Sequence, residues 1–74
     1  MNKTIDSLRI AQNIKCIRLL NHLTQEEMAE VLFISERQVR RIEKNGTNSI
    51  ELINQIANTF NISAMDILFQ NGMS

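Results

Sequence analysis

The chain has 74 residues, eight of them basic and eight acidic, so its formal net charge at pH 7 is zero. This length indicates one domain over residues 1–74 with a core at about 7–69, and the absence of proline suits a compact helical fold. A single cysteine excludes an internal disulfide, and no Cys/His cluster has metal-site spacing, so neither a metal nor a cofactor is expected. No apolar run reaches the ~18 residues of a membrane span.

The charges are unevenly distributed along the chain. Residues 1–44 hold all eight Lys and Arg against six acids, which gives +2, whereas residues 45–74 hold two acids and no base, which gives −2. We therefore expect any anionic partner to contact the first part of the chain.

Two predicted helices lead up to the most informative segment. Periodic isoleucines predict helix 1 from about Ser7 to Asn21, with Asn21 or His22 at its end. Thr24 to Glu27 form a T-x-x-E capping box, which predicts the start of helix 2. The outward side of helix 2 is predicted to be acidic and would repel phosphates.

Helix 3 carries the strongest functional pattern. Ser35 to Gln38 form an S-x-x-Q capping box, and Asn45-Gly46 predicts the end of the helix. One side holds the residues expected to face the core: Val39, Ile42 and Glu43. The opposite side holds three cations: Arg37, Arg41 and Lys44. A short helix, a turn of about three residues and a second helix that is basic outward form the arrangement that enters the DNA major groove.

Two further helices complete the prediction. Helix 4 is expected from Asn48 or Ser49 to about Asn61, with one apolar stripe made of Ile50, Ile53, Ile56, Ala57 and Phe60. Helix 5 is short, with Ser63 as its cap, Asp66 supporting that cap, and Ile67 and Leu68 facing inward. The predicted fold is an all-α, compact five-helix bundle with a helix-turn-helix at helices 2 and 3.

Several strings in the chain match one known family. They are Ile14–Arg18, Leu23–Ala29, Ile34–Val39, Ile42–Gly46, Ile56-Ala57, Phe60–Ser63 and Ile67–Phe69. Residues from about Ile10 to Phe69, about four-fifths of the chain, thus resemble the lambda-repressor/Cro-type (XRE-like) helix-turn-helix family.

The resemblance implies roles for individual positions. Glu36, Arg37 and Arg41 match positions that reach base edges. Gln25 matches a glutamine that contacts a phosphate and braces the first turn of helix 3. The whole DNA-binding set expected from the resemblance is Gln25, Ser35, Glu36, Arg37, Gln38, Arg40, Arg41 and Lys44. Arg18 and Glu43 match an internal salt bridge, which fits the core-facing position of Glu43 on helix 3.

Phe33 departs from the family pattern, which often has glycine in the turn between helices 2 and 3. A bulky residue at positive φ costs roughly 1–2 kcal/mol. We therefore expect the turn to take a different path, or Phe33 to pack over a neighbouring helix or a partner.

The resemblance implies a cytoplasmic protein of bacterial or phage type. The function expected is a sequence-specific double-stranded DNA-binding transcriptional regulator, a repressor, acting as a homodimer on a two-fold operator with half-sites ~34 Å apart. The alternative is a protein-interaction module on the same scaffold, such as an antitoxin or antirepressor, which the zero net charge and Phe33 favour. No enzyme is expected, because the chain has neither a nucleophile–His–acid set nor a Gly-rich phosphate loop.

The dimer interface is less defined by the sequence. Five apolar residues fall outside the clearest core stripes: Leu19, Leu20, Leu52, Met65 and Phe69. They either form a dimer patch near helix 5 or complete the small core. Met65 and Phe69 are the interface candidates, and Phe69 is the first choice.

Overall fold

The fold is described by a computed structural model that covers residues 6–70; the expected domain limits at residues 1 and 74 lie outside that range. It contains five helices: α1 Ser7–Leu20, α2 Gln25–Leu32, α3 Glu36–Asn45, α4 Ile50–Phe60 and α5 Ala64–Phe69. This arrangement confirms the predicted all-α five-helix bundle. No helix within residues 6–70 is long and apolar enough to cross a bilayer.

The core forms where the apolar stripes of the helices meet. Its fully buried side chains come from all five helices and include Ile10, Ile14, Met28, Leu32, Val39, Ile56 and Ile67. Leu52 is half-buried against this cluster and therefore completes the core. The predicted place of Ile50 in the core stripe is wrong, because this first residue of α4 is 60% exposed.

Both predicted capping boxes are present. At α2, Thr24 Oγ1 accepts from the Glu27 amide at 3.0 Å, and Glu27 Oε1 accepts from the Thr24 amide at 2.8 Å. At α3, Ser35 Oγ and Gln38 Oε1 form the same reciprocal pair of bonds, each 3.1 Å long. Each box satisfies donors that the first helical turn leaves unpaired. The two boxes thus fix where the turn between α2 and α3 begins and ends.

Three helices end in a left-handed residue that is not glycine: His22, Phe33 and Asn61. After α2, the Phe33 amide donates to Glu30 O at 3.3 Å and the Ile34 amide donates to Ala29 O at 3.1 Å. This is the Schellman pattern, which pairs the last carbonyls of a helix. The expected different path of the turn is therefore wrong, because Phe33 adopts φ 58° and ψ 40°.

Asn13 is a buried polar residue that the sequence patterns did not reveal. Its side chain is fully buried on α1, and Nδ2 donates to Ile67 O at 2.9 Å and to Gln70 O at 3.0 Å. These carbonyls lie at the end of α5, where no further helical turn can pair them. Asn13 therefore attaches α5 to α1 by a specific polar contact.

Gly46 ends α3 in a conformation that only glycine adopts readily, with φ 79° and ψ −171°. A Cβ at this position would overlap the backbone carbonyl group of Ser7, because it would lie 2.9 Å from the carbonyl carbon. We expect Gly46→Ala to lower the free energy of unfolding by at least about 2 kcal/mol. Urea unfolding followed by circular dichroism measures this loss. Asn54→Ala, an exposed change within α4, is the control, and equal midpoints for the two variants would contradict the prediction.

Candidate nucleic-acid interface

Helix α3 is held by its apolar side and exposes its charged side. Val39 is fully buried and Ile42 is 6% exposed, and both pack in the common core. The opposite side exposes four basic residues, which we call the cationic face: Arg37, Arg40, Arg41 and Lys44. No acidic side chain within residues 6–70 forms an ion pair with Arg37, Arg41 or Lys44. Three of the four charges on the cationic face are therefore uncompensated within the described part of the chain.

A buried ion pair joins α3 to α1. Arg18 Nε donates to Glu43 Oε2 at 2.6 Å and Arg18 Nη2 donates to Glu43 Oε1 at 3.1 Å. The two side chains are only 11% and 4% exposed. Arg18 Nη1 also donates to Leu23 O at 3.0 Å in the turn before α2. Bidentate geometry of this kind fixes direction as well as distance, so the pair sets the orientation of α3 relative to α1.

Gln25 lies at the start of α2, but its side chain does not brace the first turn of α3. Instead, Gln25 Nε2 donates to Glu43 Oε1 at 3.2 Å, in the last part of α3. The first turn of α3 is already occupied by its own capping box, in which Gln38 reaches back to Ser35. Gln25 is half-buried and thus belongs to the same polar network as Arg18 and Glu43.

Glu36 forms an ion pair that the sequence patterns did not single out. Arg40 Nη1 donates to Glu36 Oε2 at 2.8 Å, one helical turn along α3, and both side chains are about half exposed. Such exposed pairs add at most about 1 kcal/mol to stability. The pair is weak enough to open, so Glu36 remains able to accept a hydrogen bond from a partner, and Arg40 to contact an anion.

An open cleft brings one further basic residue, Lys15, next to the cationic face. Lys15 on α1, Gln25 on α2, and Arg40 and Lys44 on α3 line one open cleft together with the Arg18–Glu43 pair. Sequence reasoning missed Lys15; the signal available was its position three residues before Arg18, on the side of α1 that meets α3. Lys15 extends the positive charge of the cationic face onto α1.

Several apolar side chains remain on the surface of the described residues. Phe33, in the turn before α3, is 90% exposed, so it packs over no neighbouring helix. On α5, Met65 is 61% exposed and Phe69 is 44% exposed, while Leu19 and Leu20 at the end of α1 are 53% and 58% exposed.

These features together define a class of protein. A capped short helix, a tight left-handed turn and a second helix anchored in the core form a helix-turn-helix unit. The second helix carries basic side chains outward, which is the form that DNA-binding helix-turn-helix regulators take.

The family model for helix-turn-helix proteins matches residues 14–67, which is more than half of the chain. The chain therefore belongs to the helix-turn-helix family, and the resemblance to lambda-repressor/Cro-type (XRE-like) proteins is confirmed.

A curated relative and a solved structure are also similar to this chain. Antitoxin PezA from Streptococcus pneumoniae serotype 4 (strain ATCC BAA-334 / TIGR4) is 42% identical over 66 residues, 86% of this chain. The chain spans only 41% of the length of that relative. The crystal structure of the hypothetical transcription factor NHTF from Neisseria superposes with a TM-score of 0.77 over 93% of this chain and 86% of that one. Its sequence identity is 19%, so this likeness supports the fold alone.

Proposed function

We propose that the protein is a sequence-specific transcriptional repressor that binds double-stranded DNA as a homodimer, with α3 in the major groove. The observation that carries this proposal is the exposed cationic face on a helix whose other side is buried in the core. The acidic outer side of α2, with Glu26 and Glu30 exposed, supports α3 as the inserted helix, since phosphates repel carboxylates.

Each predicted site residue has a role in this proposal. Arg37 and Arg41 contact guanine O6 and N7 through two parallel hydrogen bonds, and Glu36 accepts from a cytosine amino group. The remaining residues contact mainly phosphates: Gln25, Ser35, Gln38, Arg40 and Lys44. Arg18 and Glu43 act indirectly, because their ion pair holds α3 at a fixed angle to α1.

The proposed dimer follows from how little DNA one α3 can read. One helix contacts only about four base pairs, so two subunits on half-sites ~34 Å apart are needed for specificity. Met65 and Phe69, both exposed on α5, are the proposed interface residues. Burying these two side chains on each subunit would stabilise the dimer by several kcal/mol, at roughly half of the about 1.5–3 kcal/mol that a fully exposed side chain contributes, since both are already about half buried.

The proposal is tested by selecting DNA from a random duplex pool and measuring the mass of the complex by sedimentation. The expected result is a two-fold symmetric consensus bound by two chains, with affinity that falls steeply as salt rises. Recovery of unrelated sequences with a salt dependence but no consensus would contradict sequence-specific regulation. A consensus without symmetry, bound by a single chain, would contradict the dimer alone.

Lys15→Ala is expected to weaken binding to all DNA sequences alike, because Lys15 is exposed on α1, outside the helix proposed to enter the major groove, so its ammonium group would contact phosphate. The slope of log affinity against log salt should become shallower by about two, about one for each subunit of the proposed dimer. Fluorescence anisotropy titrations on the selected duplex and on a scrambled duplex, at several salt concentrations, measure both effects. Lys15→Arg, which keeps the charge, is the control. A loss confined to the selected duplex would show that Lys15 has a sequence-dependent role.

A second candidate function is favoured by a different observation. The relative that is 42% identical to this chain carries the name antitoxin, so the same scaffold can serve in a pair with a second protein. Under this candidate the chain would bind its protein partner through an exposed apolar surface and could still bind DNA. Co-purification of a stoichiometric protein from the native host would support this second function. Sedimentation that shows only complexes of the chain with itself and with DNA would contradict it.

A further inference from the structure

Phe33 combines backbone strain with exposure. It holds a left-handed conformation that is unfavourable for a bulky residue, and its side chain is 90% exposed. The turn is held by backbone hydrogen bonds from the amides of Phe33 and Ile34, not by the ring. Glycine would adopt the same φ without strain. Folding alone therefore gives no reason for an aromatic side chain at this position.

The place of Phe33 relates it to the cationic face. Phe33 lies in the turn before α3, two residues before its N-cap Ser35. Helical side chains lean toward the start of their helix, so Arg37 and the first residue Glu36 extend toward this turn. Phe33 thus borders the end of α3 at which the proposed base contacts begin.

An anionic partner is favoured near this end of α3, because Arg37 in the first turn and Arg41 one turn further on are exposed without acidic partners in the described part of the chain. We propose that Phe33 contacts the C5-methyl group of a thymine in the major groove, next to the bases read by Glu36 and Arg37. The thymine methyl is the distinctive apolar group among the base edges of the major groove, and phenylalanine is a side chain that contacts it. This inference rests on the proposed function and adds a specificity-determining residue to it.

The proposal predicts opposite effects on stability and on DNA binding. Phe33→Gly removes the backbone strain, so the melting temperature should rise by about 4 °C or more. The same change should weaken binding to the selected operator by about 16-fold, because each of the two subunits loses the value of one buried methyl-sized group, about fourfold. A single thymine replaced by deoxyuridine should weaken wild-type binding by about fourfold, because it removes the methyl contact of one subunit only. The Phe33→Gly variant should bind the thymine and deoxyuridine operators equally.

Fluorescence anisotropy titrations measure the DNA affinity of the wild-type protein and of Phe33→Gly. The duplexes are the operator and a series in which each thymine is replaced singly by deoxyuridine. Asn61→Gly is the matched control, because Asn61 is also a left-handed residue at the end of a helix, with φ 57° after α4. It lies outside the proposed DNA-binding set, so this change should leave DNA binding unchanged. Wild-type affinity that is insensitive to every deoxyuridine, or equal operator affinity for Phe33→Gly and wild type, would overturn the inference while specific binding stands. A change in self-association or in protein-partner binding, with DNA binding unaltered, would instead assign Phe33 to a protein contact. If the wild-type protein binds no selected DNA, the proposed function fails and this inference fails with it.

Discussion

Removing Glu43 is expected to lower the free energy of unfolding by about 3–5 kcal/mol, because its loss leaves the Arg18 guanidinium buried without a counter-charge. Arg18 makes two hydrogen bonds to Glu43, and the pair is almost fully shielded from water. Gln25 would lose its acceptor at the same time. Small domains have only about 5–15 kcal/mol of stability in total. Urea unfolding of Glu43→Ala, compared with the wild-type protein, measures the loss.

A double variant without either charge separates the cost of an unpaired charge from the value of the pair. In the double variant with Arg18→Met and Glu43→Leu, apolar side chains replace both charges, and most of the lost stability should return. Recovery should be incomplete, because Leu23 O loses the donor that Arg18 provides. Glu36→Ala, which breaks the exposed pair on the same helix, is the control and should cost at most about 1 kcal/mol. Equal losses for Glu36→Ala and Glu43→Ala would contradict a structural role for the buried pair.

The helices could be predicted because local signals in the sequence agree with each other. Both capping boxes, the Asn45-Gly46 stop and the isoleucine stripe of α1 depend only on residues within a few positions. Periodicity failed at Ile50, since it indicates a direction around a helix but not whether the first turn is covered by another element. It also gave no signal for Asn13, whose partners at the end of α5 lie more than 50 residues further along the chain.

The turn at Phe33 shows how tertiary contacts override a local preference. Sequence reasoning weighed the ~1–2 kcal/mol cost of a bulky left-handed residue and expected another path. The left-handed turn allows two backbone hydrogen bonds and the packing of Ile34 against the core. The stabilisation from these contacts exceeds the conformational cost. The glycine that the family often has in this turn would have predicted the left-handed conformation. The phenylalanine at position 33 led to the wrong expectation.

The site was predictable in its charges but not in its contacts. The helical pattern placed Arg37, Arg41 and Lys44 on the outward side, where the structure has them exposed. Which charges pair within the protein depends on side-chain reach, so the Glu36–Arg40 pair and the Gln25 contact with Glu43 appeared only in three dimensions. Lys15 joins the same surface because α1 packs against α3.

Replacing both Arg37 and Arg41 by alanine is expected to weaken binding to the selected operator by about 10³-fold or more, because each of the two proposed subunits loses two arginines. Each arginine that contacts a guanine through two hydrogen bonds contributes about 1–3 kcal/mol of discrimination. Both side chains are exposed and their charge is balanced by no acidic residue in the described range, so folding should be unaffected by the change. Competition titrations of the variant on operator and scrambled duplexes measure the loss, with circular dichroism as the check on folding.

The double variant with Arg37→Lys and Arg41→Lys is the matched control, since it keeps both charges but cannot form the planar two-point contact with guanine. We expect it to retain the wild-type salt dependence and affinity for scrambled DNA while losing most of the preference for the operator. The alanine variant should lose both, because phosphate attraction falls with the two charges. If the lysine variant keeps the full operator preference, Arg37 and Arg41 contact only phosphates, and specificity must come from Glu36 or from residues outside α3.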